Sequence, residues 1–295
     1  MSFYEEKARN GRVTYLLFLA FFILIVCLGV VFSYILGSYL YVPIFGLFAI
    51  IYMLASYYYS DKLVAAISGA KEVAREQMPK LHDIIEEMSI ASGLPKPKVY
   101  MIEDTAINAF ATGRNPEHSL VCVTTGAVQS LTRQELTGVI AHEMSHIKNY
   151  DTRVMTIAAV MVGIAVLMSD FLLRMFLWGG RGHDRDSGKA GLVMIVVGLL
   201  LAILTPVIAQ IIQLAISRSR EYLADASAAE MTRYPEGLAG ALEKIGNDKE
   251  ILEAANKATA PMYIADPLKG QKLFLKGLFS THPPIGDRIA KLRAM

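Results

Sequence analysis

Residues 132–149 read TRQELTGVIAHEMSHIKN, and this stretch indicates both a helix and a metal-binding site on it. Thr132 followed by Glu135 forms a capping-box pattern, which predicts that a helix begins here and runs to the end of the stretch. Residues four positions apart on an α-helix point in nearly the same direction. His142 and His146 therefore lie on one face of the predicted helix, where both imidazoles can bind the same metal ion.

Glu143 follows the first of these histidines directly. From that position its carboxylate can reach a water on the metal but is poorly placed to bind the metal itself. Zinc lowers the pKa of a bound water, and a neighbouring carboxylate can then take the proton. The pattern predicts zinc-assisted hydrolysis, with one Zn²⁺ per chain and Glu143 as the general base. The residues alone also allow a surface helix whose two histidines bind nothing.

A catalytic zinc site needs a third protein ligand and one open coordination position. Glu221 is the best candidate, because it begins a predicted helix just after an apolar segment, as the histidine-bearing helix ends just before one. Asp225 lies four residues further on, faces the same way and can accept a hydrogen bond from a ligating histidine. His82 and His118 are possible ligands without a supporting pattern, and a salt bridge to a neighbouring arginine is the competing explanation for Glu221.

The composition indicates a membrane protein. Hydrophobic residues make up 54% of the 295 residues and charged residues 19%, whereas about a quarter of a soluble domain is charged. These values exclude disordered, collagen-like and coiled-coil classes. A net charge of +2 is too close to neutral for a protein that binds nucleic acid through its phosphates. Only two cysteines occur, Cys27 and Cys122, and Cys27 lies in an apolar run, which excludes a disulfide framework.

Four apolar segments are candidates for crossing a lipid bilayer. Residues 13–35 and 39–59 carry no charge, and each is long enough as a helix to cover a hydrocarbon core of about 30 Å. Their close succession and the length of the first argue against a cleaved signal peptide. Residues 154–178 and 190–216 form either a second pair of transmembrane helices or a partly buried hairpin that does not cross.

Basic residues predict the orientation, because cytoplasmic flanks of membrane spans are rich in them. The turn between the first two spans has no basic residue. The basic residues that precede the first span or follow the second are Lys7, Arg9, Arg12, Lys62, Lys71, Arg75 and Lys80. The N-terminus and the polar segments are therefore expected in the cytoplasm. Arg181, Arg185 and Lys189 lie between the last two apolar segments and weaken the case that this loop is external.

Residues 60–153 and 217–295 are expected to form one cytoplasmic domain, the second completing the first. Predicted helices cover residues 62–92, 217–229 and 238–245, with a short one after 282–284, and predicted strands cover 98–103 and 119–124, with an extended piece at 107–113. The expected fold class is mostly α and membrane-embedded. It combines up to four transmembrane helices with a cytoplasmic α+β domain.

Four motifs, well separated along the chain, together resemble those of one protein family. They are NAFATG at 108–113, HEMSH at 142–146, Glu221 with Asp225, and THPP at 281–284 with Arg288. Together they resemble the HtpX family, membrane-integrated zinc metalloproteases of prokaryotes that are related to the CAAX prenyl endoproteases. The resemblance covers nearly the whole chain, including four apolar segments in the same order.

The resemblance implies a gluzincin-like zinc metallopeptidase domain in a multi-pass protein of the prokaryotic inner membrane, with its active site facing the cytoplasm. It implies protein substrates, in particular misfolded or membrane proteins, and a role in membrane-protein quality control and the stress response. The lipid bilayer is the remaining partner, and nucleic acid is not expected.

The resemblance also implies roles for single residues. His142, His146 and Glu221 would be the ligands, with Glu143 as the general base. An edge strand would pair with the substrate backbone, which tolerates varied side chains, through Asn108, Ala109, Phe110 and Ala111. His282 and Arg288 would stabilise the oxyanion of the tetrahedral intermediate. The residues alone allow an ordinary edge strand, a helix cap at His282 and a solvated basic face at Arg288.

Two alternatives remain open. A membrane scaffold or regulator could hold a structural metal, but such a site has no use for Glu143 and would need a fourth ligand, which is not evident. A CAAX-type prenyl-protein endopeptidase encloses its site within more membrane spans than the four available here. A zinc-dependent endopeptidase that cuts proteins on the cytoplasmic side is therefore the leading hypothesis.

Overall fold

The computed structural model describes residues 3–179, 218–253, 259–267 and 283–295. The helices are α1 (Phe3–Leu36), α2 (Tyr41–Ile67), α3 (Pro79–Ser92), α4 (Thr125–Ser130), α5 (Arg133–Lys148), α6 (Asp151–Gly179), α7 (Arg218–Thr232), α8 (Pro235–Asn247) and α9 (Ile285–Arg293). The strands are β1 (Lys71–Glu72), β2 (Lys98–Ile102), β3 (Ala109–Asn115) and β4 (His118–Thr124), and Ala260–Met262 forms a 3₁₀ turn.

Helices α1 and α2 form an antiparallel hairpin. Gly37 adopts a positive φ of 69° in the turn, a conformation that glycine adopts without steric cost. Within the described residues, two helical segments are long and apolar enough to cross a membrane, Ala8–Tyr34 and Tyr41–Ile67. Both helices extend beyond the predicted spans, since α1 begins before residue 13 and α2 continues past residue 59.

Helix α6 packs against this hairpin. One apolar cluster joins Leu17 and Phe21 of α1 to Val154, Ile157 and Met161 of α6. The hydroxyl of Tyr52 in α2 donates to the backbone carbonyl of Val160 at 2.9 Å. The segment predicted at 154–178 is thus part of a single helix whose first turns are buried against α1 and α2. The segment predicted at 190–216 lies outside the described residues.

A four-stranded sheet carries the polar domain, in the order β1-β2-β4-β3. Strand β4 pairs with β2 in parallel and with β3 in antiparallel, so β3 is the terminal strand on its side. The sheet contributes Val121 and Val123 to the main core, where they join Ile140 and Met144 of α5. Helix α5 is therefore packed on the sheet with its apolar side buried. The strands predicted at 98–103 and 119–124 and the extended piece at 107–113 are confirmed, with ends shifted by one or two residues.

The single helix predicted over 62–92 is wrong. Helix α2 ends at Ile67, where Gly69 adopts a positive φ of 64°, and β1 then pairs with β2. Pro79 opens α3 at its first position, where the missing N–H costs no hydrogen bond. The apolar spacing continues across the break, but the backbone reverses there and starts a separate helix.

Helix α5 lies at the centre of the domain, against α3, α7, α8 and the sheet. Two glycines allow its close approach to α8. A Cβ on Gly138 would lie 2.6 Å from the backbone nitrogen of Leu238, and a Cβ on Gly237 would lie 2.7 Å from the backbone oxygen of Gln134. Both distances are shorter than real Cβ contacts, so the crossing requires glycine on each helix.

This crossing predicts that Gly138→Ala destabilises the protein by about 1–3 kcal/mol, because the new methyl group meets backbone that cannot turn aside. The measurement is thermal unfolding of the full chain in detergent. Gly163→Ala in α6 is the matched control, since a Cβ there meets no atom within 4 Å and the change is expected to shift stability by less than about 1 kcal/mol. Equal melting temperatures for wild type and Gly138→Ala would contradict the proposed tight crossing.

Candidate metal centre

The helix that bears the two histidines begins as the sequence predicts. The Thr132 hydroxyl accepts from the Glu135 backbone N–H at 3.3 Å, and the Glu135 carboxylate accepts from the Thr132 N–H at 2.7 Å. Lys244 of α8 also donates to Glu135 at 2.7 Å, which ties the start of α5 to its neighbour. His142 and His146 follow two turns later and are buried on one face of α5.

Glu221, in the first turn of α7, faces both histidines. Its carboxylate oxygens lie 3.7 Å from His142 Nε2 and 3.5 Å from His146 Nε2, and the two Nε2 atoms are 3.2 Å apart. His142, His146 and Glu221 form a group of donors within 4.8 Å of one another that can hold a metal ion. Glu221, the candidate for the third ligand that was chosen from the sequence, thus lies next to both histidines in the fold.

This donor set fits zinc. Zinc prefers imidazole nitrogen and carboxylate oxygen, and with bonds of about 2.0–2.2 Å the ligand atoms of a tetrahedral site lie about 3.3–3.6 Å apart. The three observed separations of 3.2, 3.5 and 3.7 Å are close to those values. Three protein ligands also leave one coordination position open, as in catalytic sites.

The rival ligands lie elsewhere. His82 Nε2 is 2.9 Å from the carbonyl oxygen of Val73, and His118 is exposed with Nδ1 2.8 Å from the side-chain oxygen of Asn115. Cys122 is buried in β4, and burial raises the pKa of its thiol. Neither histidine belongs to the donor group.

Asp225 orients His142. One of its oxygens lies 3.0 Å from His142 Nδ1, and Arg288 of α9 donates to both oxygens, at 2.9 Å and 2.7 Å. Burial alone would raise the pKa of Asp225, but the hydrogen bonds from His142 and Arg288 outweigh it and lower the pKa to about 2. The carboxylate therefore stays ionised and holds the His142 ring with Nε2 towards Glu221.

Arg288 is fully buried, so the solvated basic face allowed by its sequence context is wrong. Its guanidinium binds Asp225, donates to the Ile264 carbonyl at 3.1 Å and lies 3.6 Å from Glu221. His282, its predicted partner at the oxyanion, lies outside the described residues.

Asp151 orients the other histidine, and the sequence analysis missed it. Its Oδ2 lies 3.0 Å from His146 Nδ1, and the residue is buried. Burial alone would lower the pKa of His146, but the hydrogen bond to Asp151 and the nearby charges of Glu221 and Glu143 raise it to about 9. An environment that favours a proton this strongly also favours a metal cation. The sequence does contain a signal for Asp151. It is an acidic residue that begins an apolar helix, and that helix directly follows the one that bears the histidines.

Glu143 lies beside the donor group and is 1% exposed. Burial raises its pKa to about 7, against the opposing charge of His146 and a hydrogen bond from the backbone of Ala111 in β3. A carboxyl group with a pKa near neutrality can both accept and release a proton under physiological conditions.

Ala109, Phe110 and Ala111 of β3 and Asn108, which directly precedes the strand, are all buried. At Ala109 and Phe110 the outer edge of β3 is covered by a later segment of the chain. The Ile264 N–H donates to the Ala109 carbonyl at 3.0 Å, and Tyr263 forms an antiparallel bridge with Phe110. The side-chain amide of Asn108 donates to the Ala265 carbonyl at 3.2 Å. Sequence reasoning expected a terminal strand here, which β3 is, but it did not anticipate this cover.

Comparisons with known proteins agree with the site. The model of peptidase family M48 matches residues 75–295. A protein described as "Protease HtpX homolog" from Dictyoglomus thermophilum is 46% identical over 298 residues, which cover 100% of this chain and 95% of that protein. A second one, from Dictyoglomus turgidum, is 47% identical with the same coverage. A crystal structure of S. mikatae Ste24p covers 96% of this chain and 62% of that chain, with a TM-score of 0.49 and 20% identity.

The family match includes every residue of the donor group, together with Glu143, Asp151, Asp225 and Arg288. The match to the HtpX homologues extends through the two apolar helices as well. The chain therefore belongs to peptidase family M48, as an HtpX-type membrane zinc metalloprotease.

Proposed function

We propose that His142, His146 and Glu221 bind the zinc ion and that Glu143 is the general base of peptide-bond hydrolysis. The observation that carries this assignment is the buried Glu143 carboxyl group next to three donors at zinc spacing. Asp225 and Asp151 position the two histidines through their Nδ1 atoms, which leaves each Nε2 for the metal.

A bound zinc ion supplies Lewis acidity, polarising the substrate carbonyl and making water more acidic. Glu143 accepts the proton of the attacking water, and its raised pKa lets it pass that proton to the leaving amine. Arg288 provides a fixed positive charge beside the site, supporting its predicted contribution to the oxyanion. Four side chains, those of His142, Glu143, His146 and Glu221, are all buried. Their low exposure keeps bulk water from competing for these interactions.

Glu143→Gln is expected to lower cleavage of an unfolded protein at least about 100-fold, because the amide cannot accept the proton. Zinc content measured on the same purified samples should equal that of wild type, since Glu143 is not a ligand. Glu250→Gln, an exposed change far along the chain, should leave both values unchanged. Wild-type cleavage by Glu143→Gln would remove Glu143 from the mechanism. Zinc without cleavage in all three proteins would favour a non-catalytic metal site.

The ligand assignment predicts that Glu221→Ala lowers zinc affinity by more than about tenfold, because the site loses its oxygen donor. Competition with a zinc chelator on the full chain measures this directly. Glu230→Ala is the matched control, since Glu230 lies on the same helix and is exposed. Equal zinc affinities for the two variants would show that Glu221 is not a ligand.

We also propose a multi-pass topology with the metal centre on the cytoplasmic side of a prokaryotic inner membrane. Basic residues flank the α1–α2 hairpin on the side of the domain, and the turn at Gly37 has none. Large apolar side chains such as Leu16, Leu19, Ile51 and Leu54 are exposed on the hairpin, which supports contact with lipid.

This orientation is testable with single cysteines in a Cys27→Ala background, using an impermeant thiol reagent on intact cells or spheroplasts. Tyr39→Cys, at a turn position that is 91% exposed, should be labelled from outside. Lys80→Cys, exposed at the start of α3, should be labelled only after permeabilisation. Labelling in the opposite order would place the domain outside the cytoplasm.

The substrates proposed are misfolded or membrane proteins, consistent with a role in quality control. Pairing of a substrate with the outer edge of β3 would read backbone rather than side chains and so accept many sequences. Such pairing requires Tyr263 and Ile264 to leave that edge. The packing of α6 on the membrane hairpin keeps the metal centre close to chains that emerge from the bilayer.

A further inference from the structure

A buried polar contact runs from the first apolar helix to the metal centre. Asn10, on α1, is 1% exposed. Its side-chain amide donates to Asp151 Oδ1 at 2.8 Å and to the carbonyl oxygen of Asn149 at 3.0 Å. Asn149 is the C-cap of α5 and Asp151 is the first residue of α6, so one side chain connects α1 to both helices.

We propose that Asn10 is a positioning residue for the metal centre, which holds Asp151 in the orientation that directs His146 towards the zinc ion. The inference rests on the proposed role of His146 as a ligand. It implies that correct seating of the first membrane helix is a condition for a fully formed zinc site.

The two oxygens of Asp151 have separate tasks. Oδ2 contacts His146 Nδ1 at 3.0 Å, whereas Oδ1 accepts from Asn10 and from Arg220, the latter at 3.4 Å. A hydrogen bond at Nδ1 keeps the proton there and leaves Nε2 unprotonated for a metal. Because Asn10 donates at the shorter distance, it holds Oδ1 more firmly than Arg220 does.

The acceptor end of the Asn10 amide is also used. Arg220 donates to Asn10 Oδ1 at 3.3 Å, and Arg220 directly precedes Glu221. Asn10 therefore contacts Asp151, which holds one ligand, and the neighbour of another. An apolar side chain could fill the same space between helices, but it would leave the buried polar atoms of Asp151 and Arg220 without these partners.

Simple helix packing is the competing explanation, and Thr14 provides the comparison. Thr14 lies one turn further along α1 and is buried, and its hydroxyl donates to the Asn10 backbone carbonyl within the helix. Removing this hydroxyl perturbs the buried part of α1 without changing the hydrogen bonds of Asp151. Thr14→Val is therefore the matched control for loss of packing or helix stability.

The experiment measures zinc affinity by chelator competition, and the visible absorption spectrum of the Co²⁺-substituted protein, on full-length variants in detergent. Asn10→Ala is expected to weaken zinc binding by about tenfold and to shift the Co²⁺ spectrum, as loss of an outer hydrogen-bond partner does. Thr14→Val should keep both wild-type values, even where its melting temperature falls. Wild-type values for Asn10→Ala, or equal losses in both variants, would overturn the proposal.

A double variant tests whether Asn10 acts through Asp151. Asp151→Asn alone is expected to weaken zinc binding by about 10–100-fold, and adding Asn10→Ala should then cause no further loss, because the orientation it protects is already gone. Losses that multiply would show that Asn10 acts independently and would overturn the mechanism. His146→Ala is the reference: unchanged zinc affinity in that variant would refute the ligand set itself, separately from Asn10.

Discussion

Burial of charge around two histidines is the constraint on which the rest of this structure depends. Four carboxylates, those of Glu143, Asp151, Glu221 and Asp225, lie within the described part of the centre with less than 5% exposure. Two buried guanidiniums, from Arg220 and Arg288, oppose them. Charges removed from water must be paired, and without a metal the neighbouring carboxylates favour a proton on His146, whose pKa they raise to about 9. A divalent cation would take the place of that proton, so metal binding would complete the charge pairing of the donor group.

The elements that hold these charges come from distant parts of the chain. Helix α5 supplies the two histidines and Glu143, α7 supplies Glu221 and Asp225, α9 supplies Arg288, and the start of α6 supplies Asp151. The glycine crossing of α5 and α8 fixes the depth of the central helix, while α1 reaches its far end through Asn10. The membrane hairpin is thus part of the framework of the metal centre as well as an anchor.

Sequence patterns predicted those parts of the site that depend on residues close together in the chain. The spacing of His142 and His146, the capping box at Thr132 and the apolar spans all depend on residues a few positions apart, and the structure has the helices and the donor group they imply. Glu221 was found because catalytic zinc demands a third ligand, and family resemblance supported it. The break after Ile67 was missed because apolar spacing continues through a turn that depends on a single positive φ at Gly69.

Contacts between residues far apart in the chain could not be predicted from sequence patterns. The pairing of Tyr263 and Ile264 with β3 joins segments more than a hundred residues apart and carries no motif. The contact between Asp151 and Asn10 is a further case, since it joins residues 141 positions apart in the chain and Asn10 belongs to no motif.

The low exposure of the donor group also has a kinetic consequence. His142, His146 and Glu221 are each less than 5% exposed, so neither a metal ion nor a chelator reaches them without a transient opening of the domain. Metal exchange is then limited by the frequency of that opening rather than by affinity alone. A peptide chain is wider than an ion, so its access to Glu143, which is 1% exposed, needs an opening at least as wide. Slow exchange of the ion and restricted access of a peptide therefore have the same structural cause.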